Sequence, residues 1–127
     1  MTGDLERKLL GLLGLGVRGR NVVVGVEQVR QAARKGRLAL AVVAPDASPN
    51  SLKKVVPLLE AVGVRVVQGP GVAALGSVSG RESAAAIGIT DAALARGVRQ
   101  VLEQSGKAVA GPGAAGAPGE KGNRRTG

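Results

Sequence analysis

Apolar residues recur along the chain with two alternating spacings, one typical of helices and one typical of strands. Near the start of the chain four leucines are spaced i, i+4, i+7 and i+8, which is one face of a helix: Leu5, Leu9, Leu12 and Leu13. Gly14, Gly16 and Gly19 predict the end of this helix. Val22–Val24 is a β-branched run that predicts a strand. Gly25 then opens a second helix, in which apolar residues occupy about a third of the circumference and charged or amide residues fill the opposite side.

The same alternation continues to residue 104. Leu38–Ala44 is a continuous aliphatic run, which predicts a strand buried on both faces. Ser48 and Pro49 have the residue types of an N-cap and a first helical position. The later predicted elements are a helix through Leu52–Val62, a strand at Val64–Val67, a short helix at Val72–Leu75, a strand at Ser83–Ile89 and a helix lined by Leu94–Leu102.

Strands that alternate with helices in this way predict an α/β fold. We expect a three-layer α-β-α sandwich whose central sheet has four strands and is mixed but mostly parallel. Residues 1–104 form one predicted domain. Residues 105–127 are rich in glycine, proline and alanine with scattered bases, and this composition predicts a disordered basic tail.

The residues that the chain lacks exclude several kinds of site. It contains no cysteine, histidine, phenylalanine, tyrosine or tryptophan, so disulfides, thiolate ligands, a Ser-His-Asp triad and aromatic stacking of bases are all excluded. Asp46 and Asp91 follow predicted strands, but no second catalytic group accompanies either, and a role in a turn or at a helix start explains each. We therefore expect no enzyme, no metal and no cofactor.

One glycine-rich segment has the pattern of a nucleotide-binding loop. Gly69–Ala74 matches G-x-G-x-x-A, follows a predicted strand and precedes a predicted helix. However, that helix has only about one turn, and a dinucleotide fold needs more chain than this. A tight loop is the interpretation that the segment favours.

Positive charge is the chemical feature that stands out. The chain has 18 lysines and arginines against nine acidic residues, a net charge of +9, which suggests a polyanionic partner. Within Arg18–Arg37 six bases face a single acid, Glu27. The residues alone leave two interpretations of this cluster open. It is either a polyanion site at the start of the second helix or a solvated helix face on which Glu27 pairs with Arg30 or Gln31.

Several features between Gly25 and Gly76 resemble the superfamily of kink-turn RNA-binding ribosomal proteins, which includes the archaeal L-seven-Ae and eukaryotic L-thirty proteins. The resemblance extends over roughly residues 8–104 and is nearest to the bacterial YlxQ-like branch. It implies an α-β-α sandwich that binds RNA. The residues that carry it are Gly25, Ala44 with Asp46, Pro49, Pro57, Gly63 and the Leu75-Gly76 pair. The likeness to the bacterial branch lies in Leu12-Leu13-Gly14-Leu15, the following Arg18–Gly25 and the segment Ser51–Val55.

The resemblance also implies roles for individual residues. In RNA-binding members the second helix begins Asn-Glu-x-x-Lys, and those side chains read the sheared G·A pairs of the kink-turn. Glu27, Gln28 and Gln31 occupy the corresponding positions here, so Gln31 lacks the positive charge of the family pattern. Arg30 and Arg34 are candidates to supply that charge. The loop Gly69–Leu75 corresponds to the apolar loop that packs beside the kinked bases.

The predicted function is a non-catalytic RNA-binding protein, bacterial and cytoplasmic, associated with the ribosome or with translation and recognising structured RNA such as a kink-turn. The expected partner is ribosomal or other structured RNA, bound by a monomer with no membrane association. The alternative is a protein-interaction module that kept the fold and lost the RNA site. The predicted RNA-binding residues are Arg18, Arg20, Gly25, Glu27, Gln28, Arg30, Gln31, Arg34, Arg37, Val72 and Leu75.

Overall fold

The computed structural model describes residues 3–104 and 109–110, and helices alternate with strands along the chain as predicted. No helix in this described part is long and apolar enough to cross a membrane. The elements are α1 (Gly3–Arg18), β1 (Val22–Val24), α2 (Val26–Arg34), β2 (Leu40–Val43), α3 (Pro49–Ala61), β3 (Val66–Gln68), α4 (Val72–Ser77), β4 (Ala86–Ile89), α5 (Ala92–Gln104) and β5 (Val109–Ala110).

The described strands form one mixed sheet in the order β1-β4-β2-β3-β5. β2 and β3 run parallel, whereas β4 lies antiparallel between β1 and β2, and β5 lies antiparallel to β3. A mixed sheet is thus confirmed, but the prediction that it is mostly parallel is wrong. A parallel pair needs a crossover that returns the chain along the sheet. The helix between β3 and β4 has only six residues, about 9 Å, and does not return the chain to the other end of the sheet. β4 therefore begins at the end where β3 finishes and runs in the opposite direction.

The fifth strand was not predicted. It consists of Val109 and Ala110, which are paired with Val67 and Val66 of β3. These are the two described residues of the segment 105–127, for which the sequence predicts disorder. The remainder of that prediction lies outside the described residues.

The three layers follow from the alternation of side chains along the strands. In β2, Leu40 and Val42 pack with α1, α4 and α5 on one face, while Ala41 and Val43 pack with α2 and α3 on the other. Both faces of β2 and β4 are buried. The predicted three-layer sandwich is confirmed, and its core is wholly aliphatic among the described residues.

Helix α1 extends beyond Gly14 and Gly16, two of the three glycines that were expected to end it, and stops just before the third, Gly19. It continues to Arg18, and Gly16 is buried where α1 packs against α5 and β1. A Cβ added at Gly16 would lie 2.6 Å from Leu94 Cδ2 and 2.7 Å from Val22 Cγ1. This glycine is therefore required by close packing and does not terminate the helix.

The carboxylates of Asp46 and Asp91 hold helix starts, as the turn interpretation predicted. Asp46 Oδ1 accepts a hydrogen bond from the Val72 N–H at 2.9 Å, which fixes the first turn of α4 to the loop after β2. Asp91 Oδ2 accepts from the Leu94 N–H at 2.8 Å in the first turn of α5. Both bonds satisfy N–H groups that a helix leaves open at its start.

Gly14 offers a test of this description of α1. It lies inside the helix, and a Cβ there would meet no atom within 4 Å. We expect Gly14→Ala to raise the free energy of unfolding by about 0.5–1 kcal/mol, because alanine loses less backbone entropy in a helix. Denaturant titration measures the change. Gly16→Ala is the control and should show no gain; a loss of stability in Gly14→Ala would mean that α1 does not continue through residue 14.

Candidate nucleic-acid interface

Gly25 joins the end of β1 to the start of α2. Its φ of 100° and ψ of 153° fall in a region that essentially only glycine occupies. Its N–H donates to the Ala86 carbonyl at 2.9 Å, and its carbonyl accepts from the Val29 N–H at 3.0 Å. Since glycine has no side chain to cap α2, the N–H groups of the first helical turn remain without a side-chain cap.

An open groove of about 350 Å³ surrounds this helix start. Three parts of the chain form it: the β1–α2 junction, the first half of α3 and the loop that leads into β4. We refer to it as the α2 groove. It is lined by Val24, Gly25, Val26, Glu27, Gln28, Ser51, Lys54 and Arg81.

Arg81 lies directly over the start of α2. A Cβ added at Gly25 would be 3.1 Å from the Nη1 atom of Arg81, so the missing side chain at Gly25 leaves room for the guanidinium. The loop that carries Arg81 is held against α4, because the Arg81 N–H donates to the Gly76 carbonyl at 2.9 Å. A Cβ at Gly76 would come within 2.6 Å of Ser83 Cα, so this close approach also depends on glycine.

The charges at the α2 groove favour an anion. Lys54 and Arg81 have no ion-pair partner among the described residues, and the start of a helix carries partial positive charge. Glu27 is the one acidic residue in the lining, and its Oε2 lies 3.4 Å from Arg30 Nη1. This exposed pair contributes little stability, about 0–1 kcal/mol, but it partly neutralises the carboxylate.

The structure places some of the predicted residues at the groove and others away from it. Glu27 and Gln28 line the groove with exposed side chains, and Gln31 is exposed one turn further along α2. Val72 is half-buried at the start of α4. Leu75 has 0% exposure and packs in the core, so its side chain forms no part of a surface wall.

Four predicted arginines lie at the other end of the sheet. Arg18 and Arg20 precede β1, whereas Gly25 follows it. Arg34 ends α2, about 13 Å from its start, and Arg37 precedes β2. The sequence interpretation grouped these arginines with the N–H groups near Gly25, and the structure does not bring the two sets together.

Sequence reasoning missed Ser51, Lys54 and Arg81. Ser51 and Lys54 are spaced i, i+3 on α3, which packs beside α2, so a predicted contact between those helices was the available signal. Arg81 was missed because the sheet was predicted to be mostly parallel. Because β4 is antiparallel to β1, the loop that enters β4 lies beside the end of β1.

The conformation of Gly25 gives a direct prediction. We expect Gly25→Ala to lower the free energy of unfolding by about 1–3 kcal/mol, because alanine is strained at this φ and ψ. Gly36→Ala is the control: Gly36 has a φ of 70° and open space around its Cβ position, a left-handed conformation that other residues do adopt. Denaturant titration should show the larger loss at Gly25, and equal losses would contradict the backbone geometry described for this site.

Solved structures share the fold of this chain. A protein of unknown function from Bacillus halodurans is 29% identical, with a TM-score of 0.69 over 76% of this chain and 97% of that chain. The 15.5kD RNA-binding protein of Giardia lamblia is 21% identical, with a TM-score of 0.66 over 82% of this chain and 89% of that chain, a likeness of fold. No curated protein sequence matches. The model of the ribosomal protein L7Ae/L30e/S12e/Gadd45 family matches residues 7–99, and the chain belongs to that family.

Proposed function

We propose that the protein is a non-catalytic RNA-binding protein that recognises structured RNA through the α2 groove. The observation that carries this proposal is the position of the Arg81 guanidinium over an uncapped helix start, beside the exposed amide of Gln28. Family membership supports it, as does the likeness of fold to a Giardia lamblia protein described as RNA-binding.

The groove suits the backbone of RNA. Phosphate oxygens accept hydrogen bonds from helix N-termini and from guanidinium groups, and Lys54 adds a further positive charge on the α3 side. These contacts position an RNA without reading its sequence. The groove therefore provides the orientation on which any base recognition depends.

Base recognition falls to the side chains of the first turn of α2. The Gln28 amide both donates and accepts, which matches the edge of a base, and Glu27 accepts only. Gln31 lies on the same side, within about 100° of both around the helix axis. Val72, which is half-buried at the start of α4, is the residue we propose for apolar contact. We propose a kink-turn as the RNA shape that these residues meet.

The wider setting is proposed on the same grounds. A basic member of a ribosomal protein family suits ribosomal RNA, bound by a monomer associated with translation in the cytoplasm of a bacterium. The second candidate is a protein-interaction module. It is favoured by Glu27 and Gln31, which place a negative and a neutral side chain where the resemblance implies an amide and a lysine.

A salt titration tests the phosphate contacts at the groove. Each contact with a phosphate contributes about 0.7–0.9 to the slope of log affinity against log salt. We expect the pair Lys54→Gln with Arg81→Gln to weaken binding to a kink-turn RNA and to lower that slope by about 1.4–1.8. Fluorescence anisotropy at several salt concentrations measures both quantities.

The matched control for that titration is Arg7→Gln with Lys8→Gln, which removes the same charge from exposed positions on α1. It should leave the slope nearly unchanged. If both pairs lower the slope equally, the α2 groove is not the place where phosphate binds. If the unaltered chain shows no affinity for RNA, the protein-interaction module becomes the better candidate.

Kink-turn recognition has its own test in the triple change Glu27→Asn, Gln28→Glu and Gln31→Lys. These substitutions restore the family pattern on one face of α2, remove a carboxylate near phosphate and add a cation. We expect the triple variant to gain more affinity for a kink-turn than for a plain duplex, by about the 1–3 kcal/mol of one good base contact. Both affinities are measured at one salt concentration.

The plain duplex is the internal control of this experiment, because added positive charge strengthens binding to any RNA. An equal gain on the two RNAs would remove the kink-turn from the proposal and leave RNA binding that depends on charge alone.

A further inference from the structure

The edge of the sheet opposite the α2 groove is the second strongly charged part of the molecule. The register places Val22 of β1, Ile89 of β4 and Leu40 of β2 side by side. The carbonyl of Arg65, just before β3, accepts from the Ala41 N–H at 3.0 Å. The starts of β1, β2 and β3 and the end of β4 therefore lie along one edge.

Arginines follow this edge across its whole width. One or two precede each of the strands β1, β2 and β3, and α5 adds two more beside Ala39 in an open depression of about 250 Å³. Adjacent strands are about 4.8 Å apart, so the row extends over roughly 15 Å. We refer to these residues as the basic edge: Arg18, Arg20, Arg37, Arg65, Arg96 and Arg99.

Little negative charge opposes the basic edge. Two carboxylates lie near its six arginines: Asp91, which keeps its charge while it accepts a hydrogen bond from the Leu94 N–H, and Glu103, which acts on Arg65. Burial lowers the pKa of Arg65, the nearby guanidinium of Arg99 lowers it further, and Glu103 raises it. The positive charges of Arg65 and Arg99 are therefore held near each other. The buried Nε of Arg99 has no hydrogen-bond partner in the described part of the chain.

The composition of this surface indicates phosphate as its ligand. The six guanidinium groups of the basic edge have planar forks that suit phosphate oxygens. The depression beside them is otherwise lined by three alanines, which offer no large apolar side chain to anchor a protein partner. Several cations spread over such a width match a run of phosphates better than a single small anion.

We propose that the basic edge binds the phosphodiester backbone of a second RNA segment, so that one chain holds two RNA segments at opposite ends of its sheet. The first segment is the one bound by the α2 groove, so the proposal rests in that respect on the proposed function. The two surfaces share no residue, and substitutions can therefore remove one surface while leaving the other.

A capture experiment with the full chain tests the proposal. The chain is bound to an immobilised kink-turn RNA, and the capture of a fluorescent plain RNA duplex from solution is measured. The edge variant is Arg37→Gln with Arg96→Gln, both of which are exposed, and the control is Arg7→Gln with Lys8→Gln, of equal charge. We expect the edge variant to bind the immobilised RNA as the unaltered chain does but to lose most of the duplex capture.

The salt dependence of duplex capture should change in the same variant. Its slope should fall by about 1.4–1.8, for two lost phosphate contacts, while the control keeps the slope of the unaltered chain. Capture by the edge variant equal to that of the control would overturn the proposal. So would competition by polyglutamate as effective as by duplex RNA, which would make the basic edge a docking surface for acidic protein.

Failure of the proposed function has a different signature. In that case the chain does not bind the immobilised kink-turn RNA, while the edge variant still lowers the affinity for free duplex measured by anisotropy. If the edge variant lowers neither the capture of duplex nor the affinity for free duplex, the basic edge is not an RNA-binding surface.

Discussion

The antiparallel insertion of β4 between β1 and β2 is the constraint on which the rest of the structure depends. Its ladder joins β1 to the remainder of the sheet, and the Gly25 N–H extends that ladder to Ala86. The same insertion places the loop before β4 beside the start of α2. The packing of two helices on one face and three on the other, the α2 groove and the basic edge all follow from this strand order.

Much of the framework could be predicted from periodicity, because long amphipathic segments have only one arrangement that buries their apolar faces. Helix α2, bounded by Gly25 and Gly36, was predicted almost to the residue, and so was β1. The direction of β4 could not be predicted in this way. The sequence pattern of a buried aliphatic strand is the same whether the strand is parallel or antiparallel to its neighbours. Only the pairing with those neighbours determines its direction.

The errors at the site have two separate physical causes. Arg81 follows the first residue of α2, Val26, by 55 residues, and no local pattern links them. Leu75 belongs to a helix too short for its buried face to be read from spacing, so its place in the core was not apparent. The exposure of Glu27 and Gln28 on α2, by contrast, could be predicted, because a polar face of a regular helix is a local property.

The strand order also bears on when the site comes into existence. The pairing of Val22 with Ile89 joins residues that are far apart in the chain. Such contacts form late, because the entropy cost of closing the loop precedes the favourable energy of the contact. A chain emerging during synthesis has α2 well before it has β4. The start of α2 and the Arg81 guanidinium therefore meet only when most of residues 3–104 have been made, and a partly synthesised chain presents α2 without the groove.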